Sequence, residues 1–116
     1  MSDASEVTKK VLDEVGAERA RQDKKWGEQN HPDGTGKKIF QDFASIAKRK
    51  CDAAAKAGTL TFAHILEEEF WEALAEDDEE AVRMELIQVS AVAVGWVEAI
   101  DRRRKTKQEA NGEGQG

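Results

Sequence analysis

The chain has 116 residues, of which 39% are apolar and 36% charged, with one proline, one cysteine and a formal net charge of -6 at pH 7. This length can bury one modest hydrophobic core, which predicts a single small soluble domain that gains stability readily by pairing with a second copy. The acidic balance argues against non-specific binding of nucleic acid, because that binding depends on Lys and Arg against phosphate.

Abundant Ala, Glu, Lys and Leu, with no tyrosine and few β-branched runs, predict an all-α fold. The first helix is predicted from about Ser5 to Lys25, with Ser5 as a candidate cap. Three glycines and the single proline predict a long loop over Trp26 to Lys38. A second helix is predicted over Ile39 to Ala57, ending at Gly58.

Two further helices are predicted in the rest of the chain. The third ends near Glu76 and is capped by one of two threonines, Thr59 or Thr61. The fourth ends near Arg104 and is capped by Asp77 or Asp78. Residues 1–104 then form the domain, and residues 105–116, with Ala110 as their one apolar side chain, are expected to be a disordered polar tail.

No membrane-spanning or secretory segment is expected. The longest nearly unbroken apolar stretch, Val89 to Val97, has about half the length that a bilayer requires. No apolar run follows a basic start, which is the pattern of a signal peptide. The lone Cys51 cannot form an internal disulfide, and this fits a reducing cytoplasm.

The third helix carries a run of acidic residues without local counter-charges. Nine of the fourteen residues from Glu67 to Glu80 are acidic, and no Lys or Arg occurs between Lys56 and Arg83. When each residue is placed about 100° from the previous one, Glu69 falls inside the apolar face of the helix. Glu72 and Glu68 follow along the edge of that face, whereas Glu67 points elsewhere and is expected on the surface.

The fourth helix repeats the pattern, because Glu85 projects into the middle of an apolar stripe and Gln88 lies at its margin. A buried ionised carboxylate must be neutralised, paired or bound to a metal ion. An oxygen-only cluster suits Mg²⁺, or Mn²⁺, better than zinc. The alternative is that packing turns these side chains toward water, with their aliphatic stems along apolar surface.

These residues resemble a known enzyme family. The stretches ILEEEFWE (Ile65 to Glu72) and ELIQ (Glu85 to Gln88) are similar to the all-α nucleoside triphosphate pyrophosphohydrolases of the MazG-like superfamily, whose pattern is Glu-Glu-x-x-Glu on one helix and Glu-x-x-Asp on the next. Three blocks, ERARQDKKWGEQNHPDG, KCDAAAKAGTLTFAHIL and ELIQVSAVAVGWVEAIDRR, resemble a branch of this superfamily common in phage and actinobacterial sequences. The resemblance implies a four-helix MazG-like bundle assembled as a homodimer or tetramer.

The resemblance also implies an activity, namely hydrolysis of a (d)NTP to a (d)NMP and pyrophosphate, which would sanitise or adjust a nucleotide pool. It makes Glu69, Glu72 and Glu85 the principal ligands of Mg²⁺ or Mn²⁺, with Glu68 as a further ligand or as the base that orients water. Gln88 stands where the family pattern has Asp; it lacks the charge but keeps a carbonyl oxygen that can bind a metal ion.

Several other residues are candidates for substrate binding, each with a structural alternative. Trp26 either stacks on a base or packs on the core. Asp52 either joins the metal site or pairs with Lys48 or Lys56, and Lys48 itself either contacts phosphate or lies on a solvated basic face. The remaining candidates either reach the phosphates or base, or form a solvated helix end and a turn: Lys24, Lys25, Asn30, His31 and Asp33.

Self-association has its own support in the sequence. Trp71 projects about 180° from the buried face of the third helix, so it is expected to be exposed unless a second copy covers it. Together with the apolar segment Val89 to Val97, it favours a helical homo-oligomer. Two alternatives to an enzyme remain: a non-catalytic nucleotide- or metal-binding protein whose site is weakened by Gln88, and a helical interaction module with solvent-exposed acids.

Overall fold

The computed structural model describes residues 3–115, with side chains for residues 3–112. Its helices are α1 (Ala4–Trp26), α2 (Lys38–Ala57), α3 (Phe62–Ala75) and α4 (Glu79–Gln115). The prediction of an all-α chain with four helices is confirmed, and the described residues form no strand. Residues 1, 2 and 116, at the ends of the two predicted segments 1–104 and 105–116, lie outside the described residues.

Local capping chemistry sets most of the helix boundaries. Asp3, and not Ser5, caps α1, because its side chain accepts a hydrogen bond from the Glu6 N–H at 2.9 Å. Gly58 ends α2 in the left-handed conformation, with φ 73° and ψ 22°. Thr61 caps α3 in a capping box with His64, and the Asp78 carboxylate accepts a hydrogen bond from the Ala81 N–H at 3.0 Å at the start of α4.

The last helix is longer than the sequence predicts. Arg104 is its expected last residue, yet α4 continues through the expected disordered tail to Gln115. Lys, Gln, Glu and Ala dominate residues 105–110, and these are strong helix formers. Disorder is predicted for this segment because it has few apolar residues. That shortage deprives a helix of contacts with the core, but it does not change the intrinsic preference of these residues for helical backbone.

The chain divides into two compact units, the first made of Met1–Asn30 with Val94–Gly116 and the second of His31–Ala93. In the first unit, the Thr8 hydroxyl donates a hydrogen bond to Glu98 Oε2 at 3.1 Å, and Val11 and Val94 are buried. No helix among the described residues combines the length and the apolar character needed to cross a lipid bilayer.

In the second unit, α2 packs against α3. The buried side chains here are small, which lets helices approach closely: Ala47, Cys51, Ala54, Ala73 and Val82. Larger aromatic side chains, which are half-buried or exposed, make a further contact between α2 and α3. The Trp71 ring on α3 lies 4.7 Å from the Phe43 ring and 5.9 Å from the Phe40 ring of α2, measured between ring centroids.

The prediction that Trp71 is exposed is therefore corrected, because its side chain is half-buried among these rings. The prediction assumes one buried face on α3, but two sides of the helix approach other elements. The side of Trp71 meets α2, and the side of Glu69 and Glu72 meets Glu85 of α4. The covering of Trp71 by its own chain removes one of the two arguments for a homo-oligomer.

Gly36 anchors the loop that leads into α2. Its N–H donates a hydrogen bond to the Leu74 carbonyl at 2.8 Å, and its φ is +83°. A Cβ at this position would overlap Asp77 Oδ1 and lie 3.3 Å from Asp77 Cα.

We expect Gly36→Ala to lower the free energy of unfolding by more than the roughly 1–2 kcal/mol that a left-handed non-glycine residue costs. Gly34→Ala is the matched control, because its φ is +73° but the space around a Cβ there is open. Urea unfolding of the two variants measures the difference. Equal losses in both would show that the contact with Asp77 carries no energy.

Candidate functional site

Three carboxylates from two helices converge in the second unit. Glu69 and Glu72, one turn apart on α3, and Glu85, in the second turn of α4, each offer an oxygen atom within 4.8 Å of the others. All three side chains are half-buried. The i,i+3 spacing on α3 aims its two carboxylates in one direction, and the short turn after α3 brings α4 alongside them.

The cluster concentrates negative charge on two neighbouring helices. Glu69 Oε2 and Glu85 Oε2 are buried and have no hydrogen-bond partner among the residues that the structure describes. Burial raises the pKa of Glu69, and the Glu85 and Glu68 carboxylates raise it further. Burial and then the neighbouring carboxylates raise the pKa of Glu72 to about 7, so a proton or a cation is needed for these groups to coexist.

The raised pKa of Glu72 predicts a pH dependence of stability. In the unfolded chain this carboxyl releases its proton near its ordinary pKa of 4.5, whereas in the folded protein it keeps the proton until about pH 7. The folded state therefore binds more protons across this interval, so the free energy of unfolding falls as the pH rises from about 4.5 to about 7. Urea unfolding in EDTA at a series of pH values measures this fall.

Glu72→Gln removes this titration, and we expect the variant to lose much of the fall. The control is Glu67→Gln, which removes one charge from the same helix but outside the cluster. A fall that is as large in Glu72→Gln as in the unmodified protein would contradict the assignment to Glu72.

Glu68 lies outside the group of three carboxylates. Its carboxylate acts on the pKa of two neighbouring groups, the Cys51 thiol of α2 and the Glu72 carboxyl. The Glu68 carboxylate, together with burial, raises the pKa of Cys51 to about 11. The sequence does not predict the proximity of Cys51 to Glu68, because the spacing of Ala47, Cys51 and Ala54 on one face of α2 does not identify the residue opposite.

Two lysines close to Cys51 on α2 form ion pairs. Lys50 Nζ lies 3.7 Å from Glu67 Oε1, and the Glu67 side chain, which is predicted to be on the surface, is 43% exposed. Lys48 Nζ lies 3.9 Å from Asp52 Oδ2, with both side chains more than half exposed. Of the alternatives for Asp52, the structure therefore has the pair with Lys48.

The remaining predicted residues of the second unit are exposed. Gln88 is exposed one turn beyond the half-buried Glu85. Asp33 lines a pocket of about 570 Å³ beside the start of α4, together with four other charged residues and two apolar ones, namely Asp78, Glu79, Glu80, Arg83, Val82 and Leu86. His31 is exposed in the middle of the same loop.

Four predicted substrate-binding residues belong to the first unit: Lys24, Lys25, Trp26 and Asn30. Lys24 is exposed in the last turn of α1. The Trp26 side chain is 63% exposed, and Lys25 Nζ lies 4.7 Å from the centroid of its ring. These two line a pocket of about 300 Å³. The Asn30 side chain donates a hydrogen bond to Glu28 Oε2 at 3.0 Å.

The three clustered carboxylates form an oxygen-only donor set with two unpartnered buried oxygens. This chemistry fits a hard divalent cation, which prefers carboxylate oxygens and would satisfy both orphaned atoms. Protonation is the competing solution, and it is favoured at low pH. Comparison of the chain with protein-family models, with curated proteins and with solved structures found no match.

Proposed function

We propose that this protein is a Mg²⁺-dependent nucleoside triphosphate pyrophosphohydrolase that converts a (d)NTP to a (d)NMP and pyrophosphate. The observation that carries the proposal is the convergence of Glu69, Glu72 and Glu85 within 4.8 Å, with two buried oxygens left unpartnered. The same glutamates carry the resemblance to the MazG-like superfamily, whose four-helix bundle we propose for this chain as well.

In this proposal the three clustered carboxylates hold the cation, and Mn²⁺ can replace Mg²⁺. When bound, the cation supplies positive charge that offsets both the carboxylates and the triphosphate and acts as a Lewis acid at the phosphate. Glu72 must lose its proton to become a ligand, so cation affinity should rise as the pH increases through about 7.

Glu68 and Gln88 have supporting roles in the proposal. Glu68 either adds a ligand or accepts a proton from the attacking water, since its carboxylate is beside the cluster but outside it. Gln88 contributes a neutral carbonyl oxygen where the family pattern has a carboxylate. In the first unit, the exposed Trp26 ring and the Lys25 ammonium beside it have the chemistry to contact a base and a phosphate.

The test is chromatographic product analysis of the purified protein with a panel of dNTPs and NTPs, in Mg²⁺, in Mn²⁺ and in EDTA. We expect at least one triphosphate to give a monophosphate and pyrophosphate in equal amounts when Mg²⁺ or Mn²⁺ is present. In EDTA we expect no product. Glu69→Ala should abolish the products, and Glu67→Ala should retain them. If a folded sample forms no product from any triphosphate of the panel, the proposal is wrong.

A second candidate function is nucleotide or metal binding without turnover, which the neutral, exposed Gln88 favours. Calorimetry would then detect nucleotide binding in Mg²⁺ while chromatography finds no product. A plain helical interaction module, the third alternative, predicts that neither Mg²⁺ nor Mn²⁺ changes the melting temperature, since an ion that binds the native state alone must raise it.

We also propose that the protein works as a homodimer or tetramer. Because α2 covers Trp71, the support for self-association comes from α4. There the apolar side chains of Met84 and Ile87, at i,i+3 spacing, are 59% and 57% exposed. Met84→Glu with Ile87→Glu should lower the mass measured by light scattering after size-exclusion chromatography. A monomeric unmodified protein would contradict this part of the proposal.

A further inference from the structure

One side of α4 carries an exposed strip of small and apolar side chains. Its neutral members are Leu86, Ser90, Ala93 and Val97, at spacings of four, three and four residues. Leu86 is 49% exposed and Val97 39%. The Ser90 hydroxyl donates a hydrogen bond to the Leu86 carbonyl of its own helix at 2.8 Å, so it needs no partner elsewhere. Small side chains in the middle of the strip allow a second helix to approach closely.

Charged side chains continue this strip in both directions at the same spacing. Glu79 and Arg83 come before Leu86, and Asp101 and Arg104 come after Val97. All of these side chains are exposed, and at 100° per residue the whole strip lies within an arc of about 80°. We call it the α4 strip.

The four charges of the α4 strip are available to a second molecule. None of them forms an ion pair with another of the residues that the structure describes. Their order along the helix is acid and base before the neutral middle, and acid and base again after it. Reversal of the helix direction therefore sets each acid against a base.

We propose that the α4 strip is a contact between two copies of this chain, whose α4 helices pair antiparallel about a twofold axis between residues 91 and 92. The inference rests on the proposed homo-oligomer and adds to it the face and the direction of the pairing. A twofold contact places residue i against j and j against i. Glu79 then faces Arg104 of the second copy, and Arg83 faces its Asp101.

The same register also matches the neutral residues of the strip. Leu86 faces Val97 of the second copy, and Ser90 faces Ala93, so apolar side chains meet on both sides of a small middle. Parallel pairing sets each charge against its own copy, and like charges across a contact disfavour it. Charge complementarity therefore selects the antiparallel direction.

The experiment makes the charges of the α4 strip all acidic or all basic. Arg83→Glu with Arg104→Glu gives the acidic variant, and Glu79→Arg with Asp101→Arg gives the basic variant. Sedimentation equilibrium at low salt, where charges are little screened, measures the dissociation constant of self-association. Circular dichroism confirms that each variant is folded.

Lys10→Glu with Lys107→Glu is the control for the acidic variant. It makes the same change in net charge at two exposed lysines outside the α4 strip. We expect this control to associate as the unmodified protein does.

We expect the dissociation constant to rise by about tenfold or more in the acidic and in the basic variant, because four attractive pairs per dimer become four repulsive ones. An equimolar mixture of the two variants should regain the affinity of the unmodified protein, since every acid then faces a base. Added salt should weaken the association of the unmodified protein and strengthen that of each variant.

A distance measurement tests the direction of the pairing separately. A spin label is attached at Thr106→Cys in a Cys51→Ser background, and double electron–electron resonance measures the separation of the two labels in the dimer. Antiparallel pairing predicts about 45 Å between the labelled backbone positions, from the rise per residue and the distance between helix axes. Parallel pairing predicts roughly 10 Å.

Acidic and basic variants that associate as tightly as the unmodified protein would overturn the inference. A mixture no tighter than either variant alone, an equal loss in the control or a label separation near the parallel value would overturn it as well. If the unmodified protein is a monomer, both this inference and the proposed homo-oligomer fail. If it associates regardless of the charges of the α4 strip, this inference alone fails. Hydrolysis is measured separately, so its absence leaves these outcomes unchanged.

Discussion

We expect Glu85→Gln to make the cation-free protein more stable at pH 8. The same substitution should lower the rate of hydrolysis by more than about a hundredfold, because the loss of groups that only orient metal ligands already lowers activity by up to about that factor. Both effects have one cause. Glu85 Oε2 is buried without a hydrogen-bond partner in the described part of the chain, and a Glu85 carboxylate oxygen lies within 4.8 Å of oxygens of Glu69 and Glu72. The amide keeps the shape of the side chain and removes the charge.

The expected gain in stability follows from Coulomb's law. Two unit charges about 5 Å apart repel by ~1 kcal/mol in a water-like dielectric and ~3 kcal/mol at an effective dielectric constant of about 20. Half-buried side chains lie between these limits. For a domain of this size, 1 kcal/mol corresponds to about 4 °C or more in melting temperature, which differential scanning fluorimetry in EDTA resolves.

The same substitution should remove the response to the cation. Millimolar Mg²⁺ or Mn²⁺ should raise the melting temperature of the unmodified protein, because an ion bound to the native state alone stabilises it, and should leave that of Glu85→Gln unchanged. Glu67→Gln, whose carboxylate pairs with Lys50 on the surface, should behave as the unmodified protein. A Glu85→Gln variant that is less stable in EDTA yet fully active would contradict the role given to the cluster.

The second large effect is expected at Trp71. Truncation of a buried Phe or Trp to Ala costs about 3–5 kcal/mol, and the half-buried Trp71 should come close to the lower figure. Its ring meets Phe43 at 4.7 Å, Phe70 at 4.9 Å and Phe40 at 5.9 Å between centroids, so Trp71→Ala removes the aromatic contact between α2 and α3. We expect the free energy of unfolding in urea to fall by roughly 3 kcal/mol.

Trp26→Ala is the matched control for this experiment. Its ring is 63% exposed, so the loss in stability should stay within about 0.5 kcal/mol. In Trp71→Ala the loosened contact between α2 and α3 should also weaken Mn²⁺ binding, since the clustered Glu69 and Glu72 are on α3 beside Trp71. Equal stability of the two variants would show that Trp71 carries no packing energy.

The helices could be predicted from the sequence because their boundaries depend on local chemistry. Gly58, Thr61 and Asp78 act at the predicted caps, and each acts within a few residues of chain. The end of α4 could not be predicted in the same way. No glycine or capping residue ends the helix at Arg104. The polar residues that follow have the composition of a disordered tail, but they are also strong helix formers.

The candidate site was predictable where it depends on one helix and not where it depends on two. The angular positions of Glu69 and Glu72 follow from helical geometry, and the structure has both of them facing Glu85. The same geometry does not state which helix lies opposite a given residue. For that reason the exposure predicted for Trp71 is wrong, since its ring meets Phe43 of α2.

The central claim is that Glu69, Glu72 and Glu85 bind a divalent cation, and titration of the protein with Mn²⁺ tests it most directly. Electron paramagnetic resonance at pH 7.5 measures the free ion, so each bound ion is counted without reference to any substrate. We predict saturable binding to the unmodified protein and to Glu67→Gln, and loss of that binding in Glu69→Gln, Glu72→Gln and Glu85→Gln. A free Mn²⁺ concentration equal to the total concentration throughout the titration of the unmodified protein would contradict the claim. Binding that persists in all three variants would contradict it as well.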